Sequence, residues 1–222
     1  MSSEDPDSGA APTSSPATPR VPLWLAAFVV VLLVLVLVLA GILIRAKIDE
    51  RGGGVGNAAI EALEREARTS DDPRVFLELG YEYRKAGLLD DALRANRRVL
   101  ELDVRSVAAH YHIGSILLAQ GDEDKAEESF WKGLEIDPTH AVTAKALGEL
   151  YAARGEYRSL LVAVEPAAKA SPELADLQYL LGLGLEKTGD TSGAAQAYRD
   201  ALDRDSDLTQ ARAALDRLGV DR

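Results

Sequence analysis

The 222-residue chain contains no cysteine, which excludes disulfide cross-links, thiolate metal sites and cysteine nucleophiles. Excess positive charge is also lacking: 25 Lys+Arg against 36 Asp+Glu give a formal charge of −11, which repels nucleic-acid phosphates and argues against nucleic-acid binding. Histidine is scarce, with only His110, His112 and His140. His110 and His112 lie two apart, so on a helix they point to different faces and cannot form an i, i+4 zinc pair. No Gly-rich loop ends in Lys-Ser or Lys-Thr, so there is no phosphate-binding loop. The carboxylates fall on helix faces suited to solvent, with Glu64–Arg68 and Asp90–Arg94 as ordinary i, i+4 pairs. No convergent polar set remains, and the chain is expected to be a non-enzyme with no metal, cofactor or small-molecule substrate.

What the chain does have is one dense apolar run. From Leu23 to Ile44 there is no charged or strongly polar side chain. As a helix this run spans about 33 Å, enough to cross a hydrocarbon core of about 30 Å. Trp24 suits the headgroup region at one end, and Arg45 and Lys47 hold the other. The run is too long for a signal-peptide h-region and continues straight into Arg45-Ala46-Lys47, so a retained single-pass anchor over 21–47 is expected. Arg20 alone precedes it, whereas Arg45, Lys47 and Arg51 follow, which puts the rest of the chain in the cytoplasm by the positive-inside rule.

The segments around this span differ in kind. Residues 1–20 are Ser, Ala, Pro, Thr, Asp and Gly with almost no large apolar side chains, and are expected to be a disordered tail. Residues 48–56 include Gly52-Gly53-Gly54-Val55-Gly56, read as a flexible joint. Gly54-Val55-Gly56-Asn57-Ala58-Ala59 mimics a dinucleotide-binding turn, but no strand precedes it, so the linker reading stands.

Beyond the joint the chain is periodic. Gly80, Gly114, Gly148 and Gly182 recur every 34 residues, and Gly87, Gly121, Gly155 and Gly189 keep the same step. Leu79, Ile113, Leu147 and Leu181 precede the first glycine series, and Tyr83, Leu117, Tyr151 and Leu185 follow it by three. Later come Ala92, Ala126, Leu160 and Ala194, then Asn96, Phe130, Val164 and Tyr198. Each unit reads as two helices. The first glycine lies mid-helix, where it costs about 1 kcal/mol relative to Ala, and so must serve close packing. The second ends the helix in a left-handed conformation. Asp72-Pro73, Asp137-Pro138 and Ser171-Pro172 each suit an N-cap followed by Pro at N1.

This pattern resembles the tetratricopeptide repeat, a 34-residue helix–turn–helix unit, and in particular the membrane-anchored type found in bacteria. Phe76-Leu77-Glu78-Leu79-Gly80-Tyr81-Glu82-Tyr83 is close to its first-helix motif, Ala126-Glu127-Glu128-Ser129-Phe130 to its second, and Leu134-Glu135-Ile136-Asp137-Pro138 to its boundary. The units are 73–106, 107–140, 141–174 and 175–208, flanked by a helix within 57–72 (Ala58 to Thr69) and a capping helix within 209–222 (Thr209 to Leu218). Leu160 and Pro166 depart from the motif, so the third unit's second helix is expected to be shortened or kinked. Val104 and Ser206 replace the usual unit-ending proline. The fold expected is all-α: a superhelical solenoid of four helix–turn–helix units behind one transmembrane helix.

The resemblance implies a concave groove lined by the first helix of each unit. Of the positions it would use, Leu77, Tyr81, Arg84, Tyr111, His112, Leu118, Lys145, Tyr179 and Leu183 are the candidate partner-binding residues. The family's carboxylate-clamp pattern of Lys and Asn is absent, and the tyrosines and leucines suit an amphipathic helix or extended apolar peptide. His110 takes a recurring aromatic position and is expected in the core, while Trp131 could be convex surface or inter-unit packing. The function implied is a membrane-anchored scaffold for a protein partner. An envelope-facing assembly factor or chaperone is the alternative, and self-association is a further possibility.

Overall fold

The computed structural model describes residues 32, 33, 35, 36, 38–40 and 55–219, with side chains from Ala58 onward in the second group. The chain divides into two bodies, Met1–Arg51 and Gly52–Arg222. In the first, the described residues are helical and their leucine and valine side chains are about half exposed. Among the described residues no helix is long and apolar enough to cross a membrane. The tail 1–20, most of the span expected over Leu23–Ile44, its basic flank and residues 48–54 of the joint lie outside them.

The second body is built, among the described residues, from ten α-helices and no strand: α1 (Val55–Ala67), α2 (Pro73–Lys85), α3 (Leu89–Leu102), α4 (Val107–Ala119), α5 (Glu123–Ile136), α6 (Ala141–Arg154), α7 (Tyr157–Ala170), α8 (Ala175–Thr188), α9 (Thr191–Arg204) and α10 (Thr209–Leu218). Helix α1 begins inside the stretch read as a flexible joint, because a glycine in a first turn disturbs no interior hydrogen bond. Pairs α2–α3, α4–α5, α6–α7 and α8–α9 are antiparallel hairpins, each packed on the next, with α1 against α2 and α10 against α9.

Glycine forms both the turns and the contacts inside each hairpin. Gly87, Gly121, Gly155 and Gly189 have φ of +77°, +83°, +73° and +100°. The following residue then donates its N–H to the carbonyl five residues back: Leu88 to Tyr83, Asp122 to Leu117, Glu156 to Tyr151 and Asp190 to Leu185, at 2.8–2.9 Å. This is the Schellman closure, which satisfies carbonyls that a helix end leaves free. The mid-helix glycines face the position sixteen residues on. A Cβ at Gly80 would lie 2.4 Å from Asn96, at Gly114 2.6 Å from Phe130, at Gly148 2.5 Å from Val164 and at Gly182 2.7 Å from Tyr198. The partner side chains sit where a methyl group would be, and all four are buried.

The core runs through the hairpins. Ala92, Ala126, Leu160 and Ala194 are fully buried, as are Val99, Ile116, Leu147 and Leu215. Each large apolar side chain so placed contributes about 1.5–3 kcal/mol. At the far end Ala211, Ala214 and Leu215 of α10 cover Tyr198 and Ala201, while Asp216 and Arg217 stay exposed. Trp131 belongs to inter-unit packing: it lies half-buried on α5, and its indole N–H donates to the Tyr151 hydroxyl of α6 at 2.6 Å.

Several local expectations need correction. Asp72 caps α2, accepting the Arg74 N–H at 2.9 Å with Pro73 at N1. Asp137 and Ser171 instead follow the ends of α5 and α7, and the next helices start four residues later, after His140 and Leu174. The Asp137 carboxylate accepts from the Thr139 N–H at 2.9 Å. Proline fits the second position of this tight turn as well as it fits N1, so the dipeptide alone does not distinguish the two. The third unit's second helix, α7, is not shortened: it has 14 residues, like α3, α5 and α9, with Pro166 inside. Arg94 pairs with Asp91 rather than Asp90, and Asp90 accepts from Gln120. Glu64 accepts from the Tyr83 hydroxyl at 2.6 Å instead of pairing with Arg68.

Candidate partner-binding groove

The stack has two unlike sides. First helices touch one another directly, α2 with α4, α4 with α6 and α6 with α8, whereas second helices meet mainly their own partner and the next first helix. Closer spacing on the first-helix side makes that side the concave one, and the groove candidates are all carried there.

Near the α6–α8 end, Tyr179 and Leu183 share a hollow of about 280 Å³ with Glu149, Ala152, Leu180 and Leu208. Tyr179 is half-buried, its ring 5.8 Å from Tyr198. Gln210 and Leu208 close the hollow from the capping helix and the residue before it. Neither is a first-helix position of the four units, although the 34-residue step from Leu174 reaches Leu208. Lys145 stands at the border of the hollow, ion-paired with Asp176 and 3.9 Å from Glu149. Hydrogen bonding to Asp176 holds its ammonium above the ordinary lysine range.

A second group lies toward the α2–α4 end. Tyr81 is exposed, with the Arg84 guanidinium 5.5 Å from its ring centroid, a cation–π distance. Tyr111 is half-buried, with ring centroids at 5.3 Å from His112, 6.1 Å from Phe130 and 6.5 Å from His140. Burial lowers the His112 pKa, and Arg84 and His140 lower it further. Leu118 is partly exposed on the last turn of α4. Leu77 is only half open, and packs toward Phe76, Val99 and Ala109. His110 is buried in the core, where desolvation lowers its pKa.

Polar clasps fix these helices relative to one another. The Tyr151 hydroxyl donates to Glu127 at 2.7 Å, while Arg154 reaches Glu123, Asp124 and Glu127 of the preceding unit. Burial and that bond push the Tyr151 phenol up to about 12. At the end of the stack Glu186 accepts from Tyr198 at 2.8 Å and from Arg217 at 2.7 Å. Burial alone would raise the Glu186 pKa, but these bonds and one from Lys187 hold it down at about 2.

Stacked helical hairpins with glycine-closed turns and a concave first-helix face define a helical-repeat protein. The profile of the tetratricopeptide repeat matches residues 77–141 and 145–209, and the chain belongs to that family. It is similar to the Protein CTR9 homolog of Arabidopsis thaliana, 33% identical over 96 residues, or 43% of this chain. The chain spans 9% of the length of that curated relative. Among solved structures it is similar to the crystal structure of MamA, with a TM-score of 0.59 and 23% identity over 73% of this chain and 95% of that one. It is also similar to PilF of Pseudomonas aeruginosa, with a TM-score of 0.56 and 20% identity over 66% of this chain and 67% of that one. At these identities the structural likenesses show the fold alone.

Proposed function

We propose that this protein is a membrane-tethered scaffold of the bacterial type that holds a protein partner in its concave groove, close to the bilayer on the cytoplasmic side. The observation that carries the binding half is the hollow of Tyr179, Leu180, Leu183, Ala152 and Leu208 on the first-helix face, bounded at one end by Gln210 of the capping helix. Such a surface takes the apolar side chains of a helix or extended segment. The tether is supported by the 22 uncharged residues from Leu23 to Ile44, and the orientation by Arg45, Lys47 and Arg51. Tethering raises a partner's local concentration without any new contact. The reading assigns the chain no catalytic step.

A photo-crosslinker at Tyr179 of the full chain, expressed in cells, is expected to trap a discrete partner that a crosslinker at exposed Val162 on the outer helix α7 does not. Equal trapping at the two positions refutes groove binding. Alkaline extraction is expected to leave the chain in the membrane pellet, and external protease to leave the repeats intact. Digestion from outside would replace the cytoplasmic scaffold with an envelope-facing assembly factor.

A further inference from the structure

We propose that the groove carries an anion subsite, formed by Arg84 and His112 beside the rings of Tyr111 and His140, which takes an aspartate or glutamate side chain from the partner segment whose apolar residues fill the Tyr179–Leu183 hollow. The inference rests on the groove reading above and adds the chemistry of the ligand.

The first support is a local absence of negative charge. The chain has 36 Asp+Glu, yet α4, the helix beneath this part of the groove, carries no Asp, Glu, Lys or Arg from Val107 to Ala119. Its groove residues are Tyr111, His112, Ser115 and Leu118. Beside it α2 ends in Arg84 and Lys85. Arg84 is exposed and forms no ion pair among the described residues, while Lys85 lies 3.5 Å from Glu82. On the other side the cation of α6 is already matched, because Lys145 pairs with Asp176 and Glu149. A guanidinium without a carboxylate, next to an uncharged helix, is complementary to an incoming anion.

The second support is His112. Tyr111 of its own helix has its ring 5.3 Å from that of His112, and Arg84 of α2 and His140 of the turn before α6 act on it electrostatically; the other charged groove positions of those two neighbouring helices are Arg74, Glu78 and Lys85 on α2 and Lys145 and Glu149 on α6. His140 is itself tied to Thr143 Oγ1 at 2.8 Å. Burial, Arg84 and His140 all disfavour the imidazolium, so the empty groove keeps this ring neutral at neutral pH. A bound carboxylate reverses the balance and raises the pKa of the ring. The complex then holds more protons than the free protein. Affinity therefore increases as pH falls through the bound-state pKa and levels off below the free-state one.

The test selects from random 16-residue segments by mRNA display on the immobilised full chain in non-ionic detergent, with an Arg84→Glu, His112→Ala chain as the counter-target. Selected segments are then synthesised with amidated C-termini. Enrichment of Asp or Glu near apolar residues is expected, with about a tenfold loss of affinity on Glu→Gln in the peptide and tighter binding at pH 6 than at pH 8. His112→Gln is expected to remove the pH dependence, and Arg84→Ala, at an exposed site, the Glu preference. Peptides that bind with no acidic preference, or that need a free C-terminal carboxylate, overturn the subsite while leaving the groove reading intact. If Tyr179→Ala also leaves all selected binding unchanged, the groove reading falls with it.

Discussion

Replacing Gly114 by alanine separates close packing from ordinary helix propensity. In an open helix interior this change gains about 1 kcal/mol. Here the new methyl carbon would lie 2.6 Å from two ring carbons of Phe130 and 3.0 Å from a third. Phe130 is fully buried and its ring is rigid, so neither side can yield without moving a helix. Overpacking of this kind costs about 1–3 kcal/mol, which cancels the propensity gain and leaves a net loss of up to about 2 kcal/mol. Gly121→Ala should lose a similar amount for a different reason: nothing lies within 4 Å, but φ is +83°, and the left-handed conformation costs a residue with a Cβ about 1–2 kcal/mol. Urea unfolding of the full chain followed by far-UV circular dichroism measures both. In a double-mutant cycle, Phe130→Leu should relieve Gly114→Ala by about 1 kcal/mol and leave Gly121→Ala unaffected. Gly121→Asn should cost less than Gly121→Ala, because Asn tolerates positive φ. A raised midpoint for Gly114→Ala, or an unchanged penalty in the Phe130→Leu background, would refute the packing argument.

Three other outcomes follow from the buried polar groups. Asn96 is buried, with its Oδ1 unpartnered, so Asn96→Val should stabilise the chain by about 1 kcal/mol despite losing the bond from Nδ2 to the Ala92 carbonyl; a lower urea midpoint would contradict this. Tyr151→Phe removes the acceptor of the Trp131 indole and the donor to Glu127, and should cost about 1–2 kcal/mol with a shift in tryptophan emission. Glu186 has its pKa lowered from 4.5 to about 2, so its stabilising effect is fully present above pH 4.5 and is lost as pH falls toward 2. Glu186→Gln should flatten acid unfolding measured over that interval, and an unaltered profile would show that the Tyr198–Arg217 clasp does not form.

The fold was legible because the 34-residue step acts on two glycine series at once, one fixing the turn and the other the contact across the hairpin. A single series would have left the pairing of helices open. What the sequence hid was local and three-dimensional. Asp137-Pro138 and Ser171-Pro172 have the right residues for a cap, but a tight turn accepts the same dipeptide, and only the position of the following helix decides. Pro166 predicts a shortened or kinked helix by propensity, yet α7 keeps the 14-residue length of the other second helices. In the groove, Tyr179 and Leu183 were identifiable from unit position. Leu208 and Gln210 were not, because Leu208 is the last residue of the fourth unit rather than a first-helix position, and Gln210 lies in the segment read as a cap. The polarity contrast between Arg84 and the uncharged α4 also depends on which neighbours are already ion-paired, and no spacing rule contains that.

The buried amide at Asn96 has a mechanical consequence. In the other three hairpins the side chain opposite the mid-helix glycine is Phe130, Val164 or Tyr198. The unit with the unpartnered buried amide oxygen is the first of the four in the chain, and it is expected to be the least stable under tension. Tension applied at Val55 is expected to open that first hairpin before the rest and release a 34-residue length, roughly 110 Å when fully stretched. Tyr179 and Leu183 lie three units further on, in the hairpin of α8 and α9, and that hairpin is expected to stay closed while the first one opens.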